Sequence, residues 1–157
     1  METTPRPERT LRIGRAVVRF CGLRGWAPVV EMPLPNGRRA DVLALLPDGA
    51  FAVFEVKSCA DDFLSDTKWE GYRDYCDRFY ISVDCDFPRE LLPAETGLVV
   101  TDGGTEAVLL RDAPTHALSP ARRRALLQRY ARVAAWRLAA LSDPAGAAAL
   151  RAALNAE

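Results

Sequence analysis

The sequence predicts an α/β domain whose mixed sheet is covered by helices on both faces. Residues 40–46 and 50–56 are apolar on both sides: Leu43, Leu45, Phe51 and Val53 line one, while Val42, Ala44, Leu46, Ala52, Phe54 and Val56 line the other. Strands of this kind are buried front and back, which calls for a layer of helices over each face. Helical patterns stand on either side of the pair. The chain has 157 residues, 49% hydrophobic and 27% charged, enough for a core that needs no staple.

The elements follow in chain order. Residues 8–22 read as a helix ended by Gly22 and Gly25. Ile13, Val17, Val18, Phe20 and Cys21 fall on one side of it, and Arg9, Arg12, Arg15 and Arg19 on the other, within about 120°. Residues 29–32 make a short strand bounded by prolines. The two central strands are joined by Pro47-Asp48-Gly49, a turn set by its Pro and Gly. Residues 61–76 read as a second helix, 79–83 as a strand, and 98–101 with 107–111 as a hairpin across Asp102-Gly103-Gly104. Ser119 as N-cap and Pro120 at the first position open a long helix with Leu127, Tyr130, Ala134, Leu138 and Leu141 on its apolar face. The core order is α-β-β-β-α-β. Residues 1–143 are expected to form one domain including that last helix, followed by an Ala-rich tail, 144–157, as a short helix or a frayed end.

Composition removes several chemistries. Basic and acidic residues both total 21, so the zero net charge argues against a histone-like protein but leaves room for a local basic face. Charges interrupt every apolar stretch well before 18 residues, so no membrane-spanning helix is expected. The Arg-rich N-terminus lacks an apolar signal core, and Glu2 and Glu8 are out of place in a mitochondrial presequence. Cys21, Cys59, Cys76 and Cys85 form no CxxC pair and read as free thiols of a reducing cytoplasm. His116 is the single histidine, which argues against Cys–His nucleophiles and His-rich metal sites. Catalysis is left to carboxylates, lysines, hydroxyls or a hard cation held through oxygen. Nineteen of the 21 basic residues are Arg, and the two lysines, Lys57 and Lys68, fall in the segment that carries chemistry on other grounds.

Register brings that segment together. If Pro47-Asp48-Gly49 is a three-residue loop centred on Asp48, Leu45 pairs with Phe51 and Leu43 with Val53. Asp41 then stands directly opposite Glu55, with Cβ atoms roughly 5 Å apart. Lys57, two residues on, points to the same face. Two like charges directly opposite are destabilising unless something positive lies between them. Lys57 supplies part of this, and a divalent cation suits the oxygen donors better, because Mg²⁺ takes one or two carboxylates with waters and phosphate. Glu31 reads equally as a third acidic ligand or as an edge-strand charge.

Asp41 and then Glu55-Val56-Lys57 after a hydrophobic strand, within this element order, resemble the PD-(D/E)XK nuclease superfamily. Gly37-Arg38-Arg39-Ala40-Asp41-Val42, Phe54-Glu55-Val56-Lys57-Ser58 and Asp62-Phe63, with Asp66, Lys68-Trp69, Tyr72 and Cys76-Asp77 downstream, resemble the narrower MmcB-like family of DNA repair proteins. The resemblance spans roughly residues 7–111. It implies a restriction-endonuclease-like fold and DNA cleavage with Mg²⁺, for which Mn²⁺ substitutes. Asp41, Glu55 and Val56 would form the metal shell, with Glu31 as the further candidate. Asp41, Glu55, Lys57 and Lys68 would be catalytic, Lys68-x-x-x-Tyr72 being similar to a Gln-x-x-x-Tyr pair of some nucleases. Ala40 departs from the pattern, standing where the superfamily has proline.

Leu64, Lys68 and Tyr72, spaced four apart, would put Lys68 in an apolar stripe, either snorkelling outward or reaching an anionic partner. The stripe Arg9, Arg12, Arg15 and Arg19 suits a phosphate backbone or is a solvated face, and Arg39 and Tyr72 join it as DNA-contacting candidates. Arg122-Arg123-Arg124 points in three directions and is weaker. The sequence therefore predicts a metal-dependent endonuclease of DNA repair in a bacterial cytoplasm, acting on duplex, branched or damaged DNA beside other repair proteins. The alternative is a catalytically silent DNA-binding or adaptor domain on the same scaffold. A metabolic phosphohydrolase is disfavoured for want of a Gly-rich phosphate cradle.

Overall fold

The computed structural model describes residues 6–66 and 69–155. Helix α1 (Arg6–Leu23) is followed by strands β1 (Ala27–Pro33), β2 (Arg39–Leu45) and β3 (Phe51–Lys57). Helix α2 (Ala60–Ser65) and a 3₁₀ helix (Trp69–Tyr75) lead to β4 (Arg78–Asp84), then β5 (Gly97–Thr101) and β6 (Ala107–Arg111). The six strands lie in chain order in one mixed sheet: β1, β2 and β3 antiparallel, β3, β4 and β5 parallel, and β6 antiparallel to β5. This is the α/β class the apolar hairpin required.

Helix α1 lays its apolar side on one sheet face. Ile13, Val17, Phe20 and Cys21 are buried there with Val42, Ala44, Ala52, Phe54 and Tyr80, and the Phe54 and Tyr80 rings stack 4.8 Å apart. The 3₁₀ helix covers the other face, where Trp69 and Tyr72 stack on Phe79 at 5.6 and 5.9 Å. Asp77 ties the chain beneath it. Its buried carboxylate accepts from the N–H groups of Phe51 and Leu118, at 2.7 and 2.9 Å.

Residues 61–76 do not form one helix, contrary to expectation. Helix α2 ends at Ser65, and Asp66 is extended at φ −91°, ψ 91°. The Asp66 carboxylate is drawn to the Lys57 ammonium at 2.8 Å, a tertiary contact that outweighs helical continuation. Leu64 is 62% exposed and Tyr72 is buried, so the expected helical stripe does not exist. Lys68 lies outside the described residues.

The chain divides into two compact units, Met1–Ser119 and Pro120–Glu157. The second pairs α3 (Pro120–Ser142) with α4 (Pro144–Leu154). Asp143 ends the first helix and caps the next, accepting from the Gly146 N–H at 3.0 Å. Among the described residues no helix is long and apolar enough to cross a membrane.

Candidate active site

The hairpin loop fixes the geometry of the site. Gly49 takes the left-handed conformation at φ +85° that closes a three-residue loop, and the observed register pairs Leu45 with Phe51, Leu43 with Val53 and Val42 with Phe54. One step further stand Asp41 and Glu55. The Glu55 carboxylate accepts from the Asp41 N–H at 3.2 Å, and the Asp41 carboxylate accepts from the Val56 N–H at 2.8 Å. The Glu55 carboxylate is thus held by the backbone of Asp41, and the Asp41 carboxylate by the residue that follows Glu55. Lys57 follows Glu55 on β3 and turns its ammonium to Asp66 rather than to either acid. Asp66 is the site residue whose role the sequence concealed; the signal was the acidic run Asp61, Asp62 and Asp66 directly after the lysine-bearing strand. Asp62 accepts from the Ser58 N–H and hydroxyl, holding that run against the end of β3.

Burial charges this arrangement. Glu55 is 5% exposed and Lys57 8%. Burial, then the neighbouring Asp41 charge, pushes Glu55 up to about 8. Asp41 is also raised by burial, with the Val56 N–H and the Lys57 charge opposing. The Tyr72 phenol is pushed up to about 12 by burial and by Glu55, and it donates to the Arg39 carbonyl at 3.3 Å. Asp41, Glu55, Lys57, Asp66, Arg39 and Tyr72 line one cavity of about 450 Å³. Tyr72 is therefore a buried wall of the site.

Glu31 falls opposite Asp41 in the β1–β2 register, between the pairs Val30–Val42 and Met32–Ala40. Its backbone is left-handed at φ +46°, and its exposed carboxylate lies 3.7 Å from the Arg39 guanidinium. Among the described residues no three His, Cys, Asp or Glu side chains converge to hold a metal. Glu31 thus sits on the edge strand across from Asp41, with its carboxylate turned to Arg39. Asp41 and Glu55 remain a donor set that fits Mg²⁺: hard oxygens, two carboxylates, and room for water and phosphate.

The four arginines of α1 do not form one exposed face. Arg15 and Arg19 are exposed, but Arg9 lies 3.7 Å from Asp84 and 3.4 Å from Asp86, and donates to the Ser58 carbonyl. Arg12 is half-buried. The pattern within the helix could not reveal acids arriving from the end of β4. All four cysteines are free, as their spacing implied.

A family model for DNA repair protein MmcB-like matches residues 2–145. The chain belongs to that family. One similar solved structure, the SPO1766 protein of unknown function from Silicibacter pomeroyi, is 44% identical, with a TM-score of 0.82 over 93% of this chain and 97% of that one. A repair endonuclease from Pyrococcus abyssi is 16% identical at a TM-score of 0.34, over 66% of this chain and 42% of that one, a likeness too slight to carry an argument. No curated protein matches. In this MmcB-like chain Ala40, the residue before Asp41 on β2, is fully buried.

Proposed function

We propose that this MmcB-like protein is a metal-dependent DNA endonuclease of the PD-(D/E)XK type, working in the cytoplasm on DNA that requires repair. One observation carries the reading: hairpin register joins the half-buried Asp41 and the buried Glu55 into a carboxylate pair beside Lys57, in a cavity wide enough for a phosphodiester. Asp41 and Glu55 would hold Mg²⁺ or Mn²⁺, with the Val56 backbone adjoining. The bound cation supplies neutralising charge for a phosphoryl centre. Lys57 is a compact ammonium anchored by Asp66, placed to orient an attacking water or to offset developing negative charge. Arg39, on the cavity rim, and the exposed Arg15 and Arg19 suit the flanking phosphates.

The Lys57–Asp66 ion pair also favours a second reading, a DNA-binding adaptor in which the lysine is structurally neutralised. Supercoiled plasmid incubated with Mg²⁺ or Mn²⁺ separates the two. Nicking by the native protein that Glu55→Ala abolishes supports the enzyme. Gel retardation of DNA without cleavage supports the adaptor.

A further inference from the structure

The neutral chain hides a strong charge division. Residues 1–119 carry fourteen basic against nineteen acidic residues, whereas residues 120–157 carry seven arginines against two acids. Helix α3 has no acid in its 23 residues. Its arginines are not scattered: at 100° per residue Arg122, Arg129 and Arg132 fall within about 80° of one another, and Trp136 falls inside the same sector. Arg122 and Arg132 are exposed, and Trp136 is 60% exposed. Two clefts flank that indole. One of about 400 Å³ is lined by Arg129, Arg132 and Trp136, and one of about 770 Å³ between α3 and α4 by Trp136 with Arg132, Arg137 and Arg151.

A large indole left in water on a soluble helix calls for a partner, and the arginines around it specify an anionic one. Duplex DNA would use the arginines but offers no free base face to Trp136. Unpaired bases on a phosphodiester backbone use both, by stacking on the indole while the guanidinium groups track the phosphates. We propose that the α3–α4 helix pair binds single-stranded DNA, with Trp136 as its stacking platform. This goes beyond the carboxylate site and requires no metal.

The test uses the full chain in EDTA, so that cleavage does not enter. Fluorescence anisotropy with labelled oligodeoxythymidine, duplex of the same length and oligouridine is compared for native protein, Trp136→Ala and Arg129→Ala/Arg132→Ala. Trp136→Ala should weaken single-strand binding about 5- to 150-fold and leave duplex binding unchanged. The double arginine variant should lower the slope of log K against log salt by about 1.4. EDTA keeps the carboxylate site out of every arm, so a failed nuclease reading leaves this one standing. Unchanged oligodeoxythymidine binding in Trp136→Ala, or a tighter hold on oligouridine than on oligodeoxythymidine, would overturn the proposal. So would light scattering in which Trp136→Ala converts a native dimer to a monomer, because the face would then be a contact between copies.

Discussion

The buried Glu55 and the half-buried Asp41 stand beside the Lys57 ammonium, which is engaged by Asp66. A proton relieves such a pair, which is why Glu55 is raised to about 8 from its ordinary 4.5. Between those two values the folded chain holds more protons than the unfolded chain, so stability falls as pH rises across that window and levels off above it. Thermal melts of metal-free protein should therefore show Tm falling toward pH 8, and Glu55→Gln should flatten the profile. A native profile retained by Glu55→Gln would place the pH dependence elsewhere. Mg²⁺ competes with that proton and should raise Tm at the alkaline end of the window far more than at the acid end. Lys57 makes a second residue-scale claim. Lys57→Met should keep Mg²⁺ and DNA binding while single-turnover cleavage slows on the order of 10²–10³-fold. Lys57→Arg should not rescue it, since a planar guanidinium does not replace an ammonium. Cleavage by Lys57→Met at the native rate would remove the lysine from the mechanism.

At the scale of elements, the site was legible wherever a local turn set a long-range register. Pro47-Asp48-Gly49 dictated the pairing that sets Asp41 against Glu55, and nothing distant had to be known. The break after Ser65 was not legible, because it depends on Asp66 reaching back nine residues to Lys57. Neither was the fate of Arg9, whose partners Asp84 and Asp86 arrive from the end of β4 and the turn after it. Helix α1 is consequently a split element, with Arg9 holding the fold and Arg15 and Arg19 free to face solvent-borne phosphate. Charge reversal of Arg15 and Arg19 together should weaken duplex binding and flatten its salt dependence in gel retardation; undiminished binding would make them ordinary surface. The 3₁₀ connection is pinned from below by Asp77, whose carboxylate takes two backbone N–H groups from distant segments. Asp77→Ala strands both donors and should cost about 3 kcal/mol in urea unfolding. A loss within experimental error would deny Asp77 that clamping role.

Across the whole molecule, a neutral composition conceals an acidic unit that carries the candidate site and a basic helix pair with an exposed tryptophan. Membership of the MmcB-like DNA repair family is consistent with that division, since the proposed carboxylate site and the proposed DNA-binding helix pair require opposite fields. The central claim is that Asp41 and Glu55 form a cation-dependent phosphodiesterase site. It is tested most directly by single-turnover nicking of supercoiled plasmid, with native protein, Asp41→Asn and Glu55→Gln assayed side by side in Mg²⁺ and in EDTA. The account predicts nicking by the native protein in Mg²⁺ alone, and loss of it in both variants although each remains folded and still retards DNA. Cleavage that persists in EDTA, or in either variant, would contradict it.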